Sequence, residues 1–140
     1  MDLQKARQLL ATGEYTCVLC REDTVITSTR RGVAPLMALL DAGTDIQGFC
    51  AADKVVGKAT ALLYCVLGVQ AVYSDVISQS ALQVLSDHGI RVQYGKCVDF
   101  IQNRSGTGRC PMELATASIS KPEAAPAAIR LALEKLQKEK

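Results

Sequence analysis

The sequence predicts an α/β protein, a three-layer α/β/α sandwich built around one mixed β-sheet. Strand and helix patterns alternate in the second half of the chain, which favours parallel strands joined by right-handed crossovers. Two β-rich segments near the start are separated by a short polar turn, which indicates an antiparallel hairpin. Amphipathic helices are predicted near both ends of the chain, and helices can cover both faces of such a sheet.

The first element is a predicted helix over residues 2–12. Its apolar side chains recur at helical spacing on one face, at Leu3, Ala6, Leu9 and Leu10. Residues 15–21 and 24–29 follow and are rich in β-forming residues. The polar pair Glu22-Asp23 between them predicts a tight turn, so we expect two antiparallel strands.

Two apolar helices are predicted next. Residues 35–40 form a short one, since Pro35 suits the first helical turn. Residues 54–67 form a mostly apolar central helix that ends at Gly68. Gly57 would lie inside this helix and lower its propensity, while allowing another element to approach closely.

The remaining elements complete the sheet and its covering helices. Residues 69–73 are predicted as a strand, 78–88 as a helix, 90–94 as a further strand and 123–138 as a final amphipathic helix. No internal repeat, low-complexity tract or linker interrupts the pattern. Residues 1–140 are therefore expected to form one domain.

Composition excludes several classes of function. Apolar residues make up 49% and charged residues 21% of the chain, as in ordinary globular proteins. Aromatic residues amount to 4% without any Trp, so a stacking platform for nucleic-acid bases is hard to build. The formal net charge of +2 gives no broad positive field. Neither duplex nucleic acid nor a membrane is expected as a partner.

Location is predicted from the N-terminal segment and the cysteines. The chain starts without the basic stretch and apolar run of a signal peptide, and no apolar run approaches the ~20 residues of a membrane span. We expect a cytoplasmic protein whose six cysteines remain thiols. Cys17 and Cys20 share a predicted strand, which points them to opposite faces about 10 Å apart. They are interpreted as buried small apolar residues.

Three segments carry a resemblance to a known family, namely residues 50–59, Asn103-Arg104 and residues 110–113. They resemble a family of small uncharacterised prokaryotic proteins grouped with the cytidine deaminase-like fold. The resemblance covers most of the chain and implies that fold, with a site at the start of the central helix. It implies no established function.

The pattern departs from that of a working zinc deaminase. Such enzymes need a His or Cys ligand two residues before a Glu at one helix start, and Pro-Cys-x-x-Cys at the next. In this chain, Cys50 is followed two residues later by Ala52 where the motif has Glu, and Asp53 comes one position too late to replace it. The second helix start, residues 77–81, contains no thiol. We therefore predict no metal, no other cofactor and no zinc-dependent deamination.

Cys110 is the strongest candidate nucleophile. It follows a glycine-rich loop, precedes Pro111 at a predicted helix start, and has Arg109 beside it and Glu113 three residues later. A helix N-terminus and a neighbouring cation favour the thiolate form of a cysteine. The alternative is a packing role at the start of the helix. Glu113 is assigned to ligand binding in the same pocket.

Asp53 and four polar neighbours complete the candidate site. Asp53 either caps the central helix or acts as a general base or polar contact to a ligand. Lys54 and Lys58, one helical turn apart, would face an anion near the positive end of that helix. Asn103 and Arg104 belong to a glycine-rich loop that either cradles a phosphate or is a plain surface loop.

The leading hypothesis is a zinc-free pocket that binds or transforms an anionic or nucleotide-like small molecule. Asp53 would act as base or orienting group, Lys54 and Arg104 would hold the anion, and Cys110 would be the nucleophile. Whether the protein is an enzyme stays open. One rival is a noncatalytic module that senses a metabolite through the same pocket. Another is a structural assembly module, a homo-oligomer built on the apolar central helix.

Overall fold

A computed structural model shows a five-stranded mixed sheet covered by helices. The structure describes residues 2–101 and 110–138. The elements in chain order are α1 (Asp2–Thr12), β1 (Cys17–Arg21), β2 (Thr24–Ser28), α2 (Ala34–Ala42), β3 (Cys50–Val56), α3 (Lys58–Leu67), β4 (Ala71–Ser78), α4 (Gln79–Asp87), β5 (Arg91–Val98), α5 (Pro111–Thr116), a 3₁₀ turn (Pro122–Ala124) and α6 (Ala125–Lys138).

The strands lie in the order β2-β1-β3-β4-β5. Strand β1 is antiparallel to β2 and to β3, whereas β3, β4 and β5 run parallel. The predicted hairpin and the predicted parallel strands are both confirmed. The α/β class with one mixed sheet is confirmed as well. Because β3 is central, its carboxyl end lies next to elements from both halves of the chain.

Helix α1 covers one face of the sheet. Its side chains Ala6 and Leu10 pack against Val18, Cys20 and Ala52, which point from β1 and β3 towards this helix. All five side chains are buried. Burial of this stripe is the main force that holds an amphipathic helix of this length against a sheet.

The opposite face of the sheet carries the larger core. Leu62 of α3 packs in one cluster with Leu19 of β1 and Val72 of β4, and all three are fully buried. Cys17 belongs to this core, whereas Cys20 lies on the α1 side. The prediction that these two cysteines point to opposite faces as buried, unpaired thiols is confirmed.

The central helix begins later than the sequence predicts. Residues 54–56 belong to β3, which is hydrogen-bonded to β1 on one side and β4 on the other. The N–H of Lys54 donates to the carbonyl of Thr16, and residues 55 and 56 pair with β4. These backbone hydrogen bonds outweigh the helical pattern there. Gly57 has extended backbone and immediately precedes α3. Capping of this helix by Asp53 is therefore wrong, and Lys54 does not lie one helical turn before Lys58.

Strand β4 is longer than predicted and runs directly into α4. The hydroxyl of Ser78, its last residue, accepts the N–H of Ala81 at 3.1 Å and so caps the helix. At the end of α3, Gly68 adopts a left-handed conformation (φ 78°) and terminates the helix, as predicted. Helix α5 begins at Pro111, also as predicted.

Candidate functional site

A cavity of about 420 Å³ lies at the carboxyl end of β3. Five parts of the chain contribute to its walls: Thr16 before β1, residues 30–35 at and before the start of α2, the end of β3, the start of α3, and Ile101 and Cys110 with the start of α5. Its size falls within the usual range for small-molecule sites. The position at the carboxyl end of parallel strands is the usual place for a ligand in an open α/β sheet.

Four of the predicted site residues line this cavity, namely Asp53, Lys54, Cys110 and Glu113. They come from two segments that are far apart in the sequence, and the fold brings the two segments to one place. Asn103 and Arg104 lie outside the described residues. Their assignment to ligand binding stays a prediction.

Lys58 does not line the cavity. Its ammonium group donates a hydrogen bond to the carbonyl of Ala117 at 2.9 Å. Its backbone N–H lies 3.3 Å from Oε1 of Glu113 and donates to it. These two bonds join the start of α3 to α5, so the geometry gives Lys58 a role in packing the two helices together and does not support its assignment to the ligand.

Asp53 is a buried carboxyl group in the cavity wall. The hydroxyl of Tyr64 donates to its Oδ2 at 2.8 Å, and the backbone N–H groups of Lys54 and Val55 also stabilise the carboxylate. Burial nevertheless raises the pKa of Asp53 to about 7, with the charge of Asp75 adding to the effect. A carboxyl with this pKa can accept or donate a proton near neutral pH.

Behind Asp53, two further polar groups extend the hydrogen bonding into the core. Sγ of Cys17 lies 3.5 Å from the hydroxyl oxygen of Tyr64. Because that hydroxyl donates to Asp53, the thiol donates to the hydroxyl oxygen. Cys17 and Asp53 are register partners on β1 and β3. Burial raises the pKa of both Cys17 and Tyr64, so both groups stay protonated near neutral pH.

Glu113 fits against the N-terminus of α3 at Gly57. The carboxylate is buried and accepts the N–H of Lys58 at 3.3 Å, where the helix dipole favours negative charge. A Cβ atom on residue 57 would lie 2.5 Å from Oε1 of Glu113. Glycine at this position therefore permits the close approach of the carboxylate.

Cys110 lies directly before α5 and is partly exposed. Its backbone N–H donates to the carbonyl of Ile101 at 2.9 Å, and both residues line the cavity. The thiol is therefore near Asp53 and Glu113 in the same cavity, while its role as a nucleophile stays a prediction.

The sequence reasoning missed two cations of this site. Arg30 and Arg31, between β2 and α2, line the cavity and are exposed, as is Lys54. The hydroxyl of Thr16 donates to the backbone carbonyls of Ser28 and Arg30 and so holds this segment against β1. The signal was the adjacent pair of arginines directly after the predicted hairpin.

Within residues 2–101 and 110–138, no three His, Cys, Asp or Glu side chains are placed to hold a metal ion. Cys50, which the comparison with zinc deaminases singled out, packs with Leu3 and Ala71 beneath α1 and does not line the cavity. The absence of zinc stays a prediction.

The fold and the cavity define a small α/β protein with a mixed sheet and a cavity, lined by apolar and charged residues, at the end of its central strand. The chain belongs to the TM1506 family, a domain of unknown function (DUF1893), whose profile matches residues 5–133. Membership in a family of uncharacterised domains, which the sequence resemblance predicts, is confirmed.

One solved structure shows the same fold. A DUF1893 family protein (TM1506) from Thermotoga maritima has a TM-score of 0.82 and 24% sequence identity, covering 96% of this chain and 89% of that one. A diaminohydroxyphosphoribosylaminopyrimidine deaminase/5-amino-6-(5-phosphoribosylamino)uracil reductase from the same organism is more distant. Its TM-score is 0.44 and its identity 12%, covering 67% of this chain and 35% of that one. No curated protein matches the chain.

Among the described residues, no helix has the length and apolar character needed to cross a membrane.

Proposed function

We propose that the cavity binds an anionic or nucleotide-like small molecule without zinc. The observation that carries the proposal is the group of three exposed cations, Arg30, Arg31 and Lys54, around one cavity. Guanidinium and ammonium groups recognise carboxylate and phosphate oxygens through charge-assisted hydrogen bonds. Arg104 would add a fourth cation in the role that the sequence predicts.

The chemistry inside the cavity fits a catalytic version of this function. Asp53 would act as general base or orienting group, because its pKa of about 7 suits proton transfer near neutral pH. Cys110 would supply a nucleophilic thiolate, and Glu113 would contact the ligand. The same residues would serve a noncatalytic module that senses a metabolite, so activity is the feature that separates the two versions.

A binding experiment tests the proposal directly. Phosphate and adenosine monophosphate are titrated by calorimetry into the protein and into the triple variant R30A/R31A/K54A. The control of equal charge is K96A/K121A/K135A, which removes three exposed lysines that do not line the cavity. We expect the triple variant to weaken binding at least about tenfold, since each lost charge-assisted hydrogen bond is worth roughly 1.5–3 kcal/mol. Equal binding by the triple variant and the control contradicts the proposal.

A second measurement addresses zinc, assembly and retained ligands. Native mass spectrometry of the purified protein, beside its denatured spectrum and with elemental analysis for zinc, reports all three. A retained anionic metabolite supports the proposed pocket, and stoichiometric zinc contradicts it. A stable homo-oligomer without ligand favours the structural alternative. The expected cytoplasmic location stays part of the proposal.

A further inference from the structure

The charges of the cavity are ordered by depth. The cations Arg30, Arg31 and Lys54 are exposed, whereas the carboxyl groups of Asp53 and Glu113 are only 7% and 9% exposed. On the basis of the proposed function, we propose that the ligand is amphoteric. Its anionic group would lie among the cations at the mouth, and a protonated amine or amidine at its other end would meet the carboxylate of Asp53.

The need for a cation follows from the surroundings of Asp53. A buried carboxylate without a counter-charge costs several kcal/mol in desolvation. Tyr64 and two backbone N–H groups offset part of this cost, but they are neutral donors. Within residues 2–101 and 110–138, the one ion pair joins Arg130 to Asp41, so no described cation pairs with Asp53. A cationic group on the ligand would supply the missing charge.

Glu113 is less suited to this role. Its Oε1 already accepts the N–H of Lys58 at the start of α3, where the helix dipole stabilises the carboxylate. Asp53 instead faces the cavity from the end of β3, while Tyr64 holds its Oδ2 from within the core and does not itself line the cavity. Asp53 is therefore the carboxyl group that a ligand cation would contact.

Apolar side chains form much of the rest of the cavity wall. Val33, Pro35, Val55, Ile101 and Met112 all line the cavity. A wall of this kind favours a short hydrocarbon spacer, because burying methylene groups gains about 0.8 kcal/mol each. A small acid that bears an amino or guanidino group at its far end has this arrangement.

Ionisation of Asp53 depends on charged and titratable groups on several elements. Tyr64 contacts Asp53 from α3, and Cys17 on β1 contacts Tyr64. The charge of Asp75 on β4 also acts on Asp53. The other titratable or charged groups on the cavity wall are Arg30, Arg31, Lys54, Cys110 and Glu113. A cation that binds to Asp53 would favour its ionised form, so binding would be accompanied by proton release near neutral pH.

The test uses probes of similar length that differ in their charged ends. The panel contains 5-aminopentanoate and 4-guanidinobutyrate, the plain acid pentanoate, and pentylammonium. Shifts of the backbone amide signals of residues 53–60 report binding at neutral pH in the wild-type protein, in Asp53→Asn, and in Asp87→Asn as a control that removes an exposed carboxylate at the end of α4.

We expect both amphoteric probes to bind at least tenfold more tightly than pentanoate in the wild type and in Asp87→Asn. Asp53→Asn should retain pentanoate binding and lose the tenfold advantage. Equal binding of pentanoate and 5-aminopentanoate in the wild type overturns the inference and leaves the proposed function intact. If none of the acids shifts these amide signals, the proposed function fails with it.

Tyr64→Phe provides a second variant in case Asp53→Asn does not fold. It removes the donor to Asp53 and leaves the carboxyl group in place. We expect the advantage of the amphoteric probes to be reduced at neutral pH and to return at higher pH, where Asp53 ionises again. An advantage that is the same in Tyr64→Phe at every pH contradicts a contact with Asp53.

Discussion

The hydroxyl of Tyr64 donates a hydrogen bond to Oδ2 of Asp53 at 2.8 Å, inside the core and directly behind the cavity. Tyr64 is fully buried on α3, and Asp53 lies near the end of β3. The bond therefore couples the packing of the central helix to the ionisation of a carboxyl group in the cavity wall. Two of the following predictions concern the ionisation of this carboxyl group.

The stability of the protein should decrease as the pH rises towards neutral. The pKa of Asp53 is raised from 3.8 to about 7 on folding, so the folded state holds a proton that the unfolded state has released. The stabilisation that comes from this proton on Asp53 is fully present below about pH 4 and is lost as the pH rises through about 7. It contributes at most about 4 kcal/mol to the free energy of unfolding. Urea unfolding between pH 4 and 8.5 measures it.

Asp53→Asn is the control for this pH dependence. Asparagine has nearly the same shape as aspartate and does not titrate. The free energy of unfolding of the variant should therefore depend less on pH than that of the wild type. The difference in unfolding free energy between wild type and variant should change mainly between pH 4 and 7. A difference that stays constant over that range contradicts a raised pKa for Asp53.

Replacing Tyr64 by phenylalanine should raise the pKa of Asp53 further. The hydroxyl stabilises the charged carboxylate, and a hydrogen bond to a charged group is worth roughly 1.5–3 kcal/mol, which corresponds to about one pKa unit or more. Titration of the Asp53 carboxyl ¹³C signal measures the change. Tyr94→Phe serves as control, because Tyr94 is exposed on β5. The prediction is wrong if both variants titrate like the wild type.

Gly57→Ala should destabilise the protein through contact with Glu113. The new Cβ would lie 2.5 Å from Oε1 of Glu113, while the backbone of residue 57 (φ −97°, ψ −179°) is open to alanine. Overpacking of this kind typically costs about 1–3 kcal/mol. In the background of Glu113→Ala the cost should largely disappear, and a double-mutant cycle from urea unfolding measures that coupling. Additive losses would exclude the contact as the cause.

Cys110 should react with iodoacetamide before Cys65 and the three buried thiols. It is partly exposed and lines the cavity, whereas Cys17, Cys20 and Cys50 are buried. Burial raises the pKa of Cys65 to about 11, which makes this partly exposed cysteine an internal reference. Peptide mapping by mass spectrometry gives the rates at neutral pH. Equal rates at Cys110 and Cys65 would favour the noncatalytic sensing module.

The sequence predicted the elements whose signals are local. The Glu22-Asp23 turn and Pro111 each mark an element boundary that the structure confirms, and four site residues named from the sequence line one cavity. Such signals depend on turn chemistry and on the fixed geometry of proline, so they survive without knowledge of the tertiary structure.

The boundary between β3 and α3 could not be predicted from local sequence signals. Residues 54–67 are apolar enough for a buried helix or a buried strand. Pairing with β4 and the hydrogen bond from Lys54 to Thr16 decide the conformation of residues 54–56. Tyr64 was missed for a related reason. An isolated tyrosine in an apolar helix gives no sign that its hydroxyl meets Asp53, because this contact depends on how α3 packs on the sheet.

The hydrogen bond from the Cys110 N–H to the Ile101 carbonyl joins the two ends of the segment 102–109 at the wall of the cavity. Doubling the length of a closed segment costs only about 0.6 kcal/mol in loop entropy. Insertions and substitutions between these two residues can therefore accumulate while β5 and α5 keep their positions. A difference in chain length between Ile101 and Cys110 therefore leaves the start of α5 in place beside the end of β5.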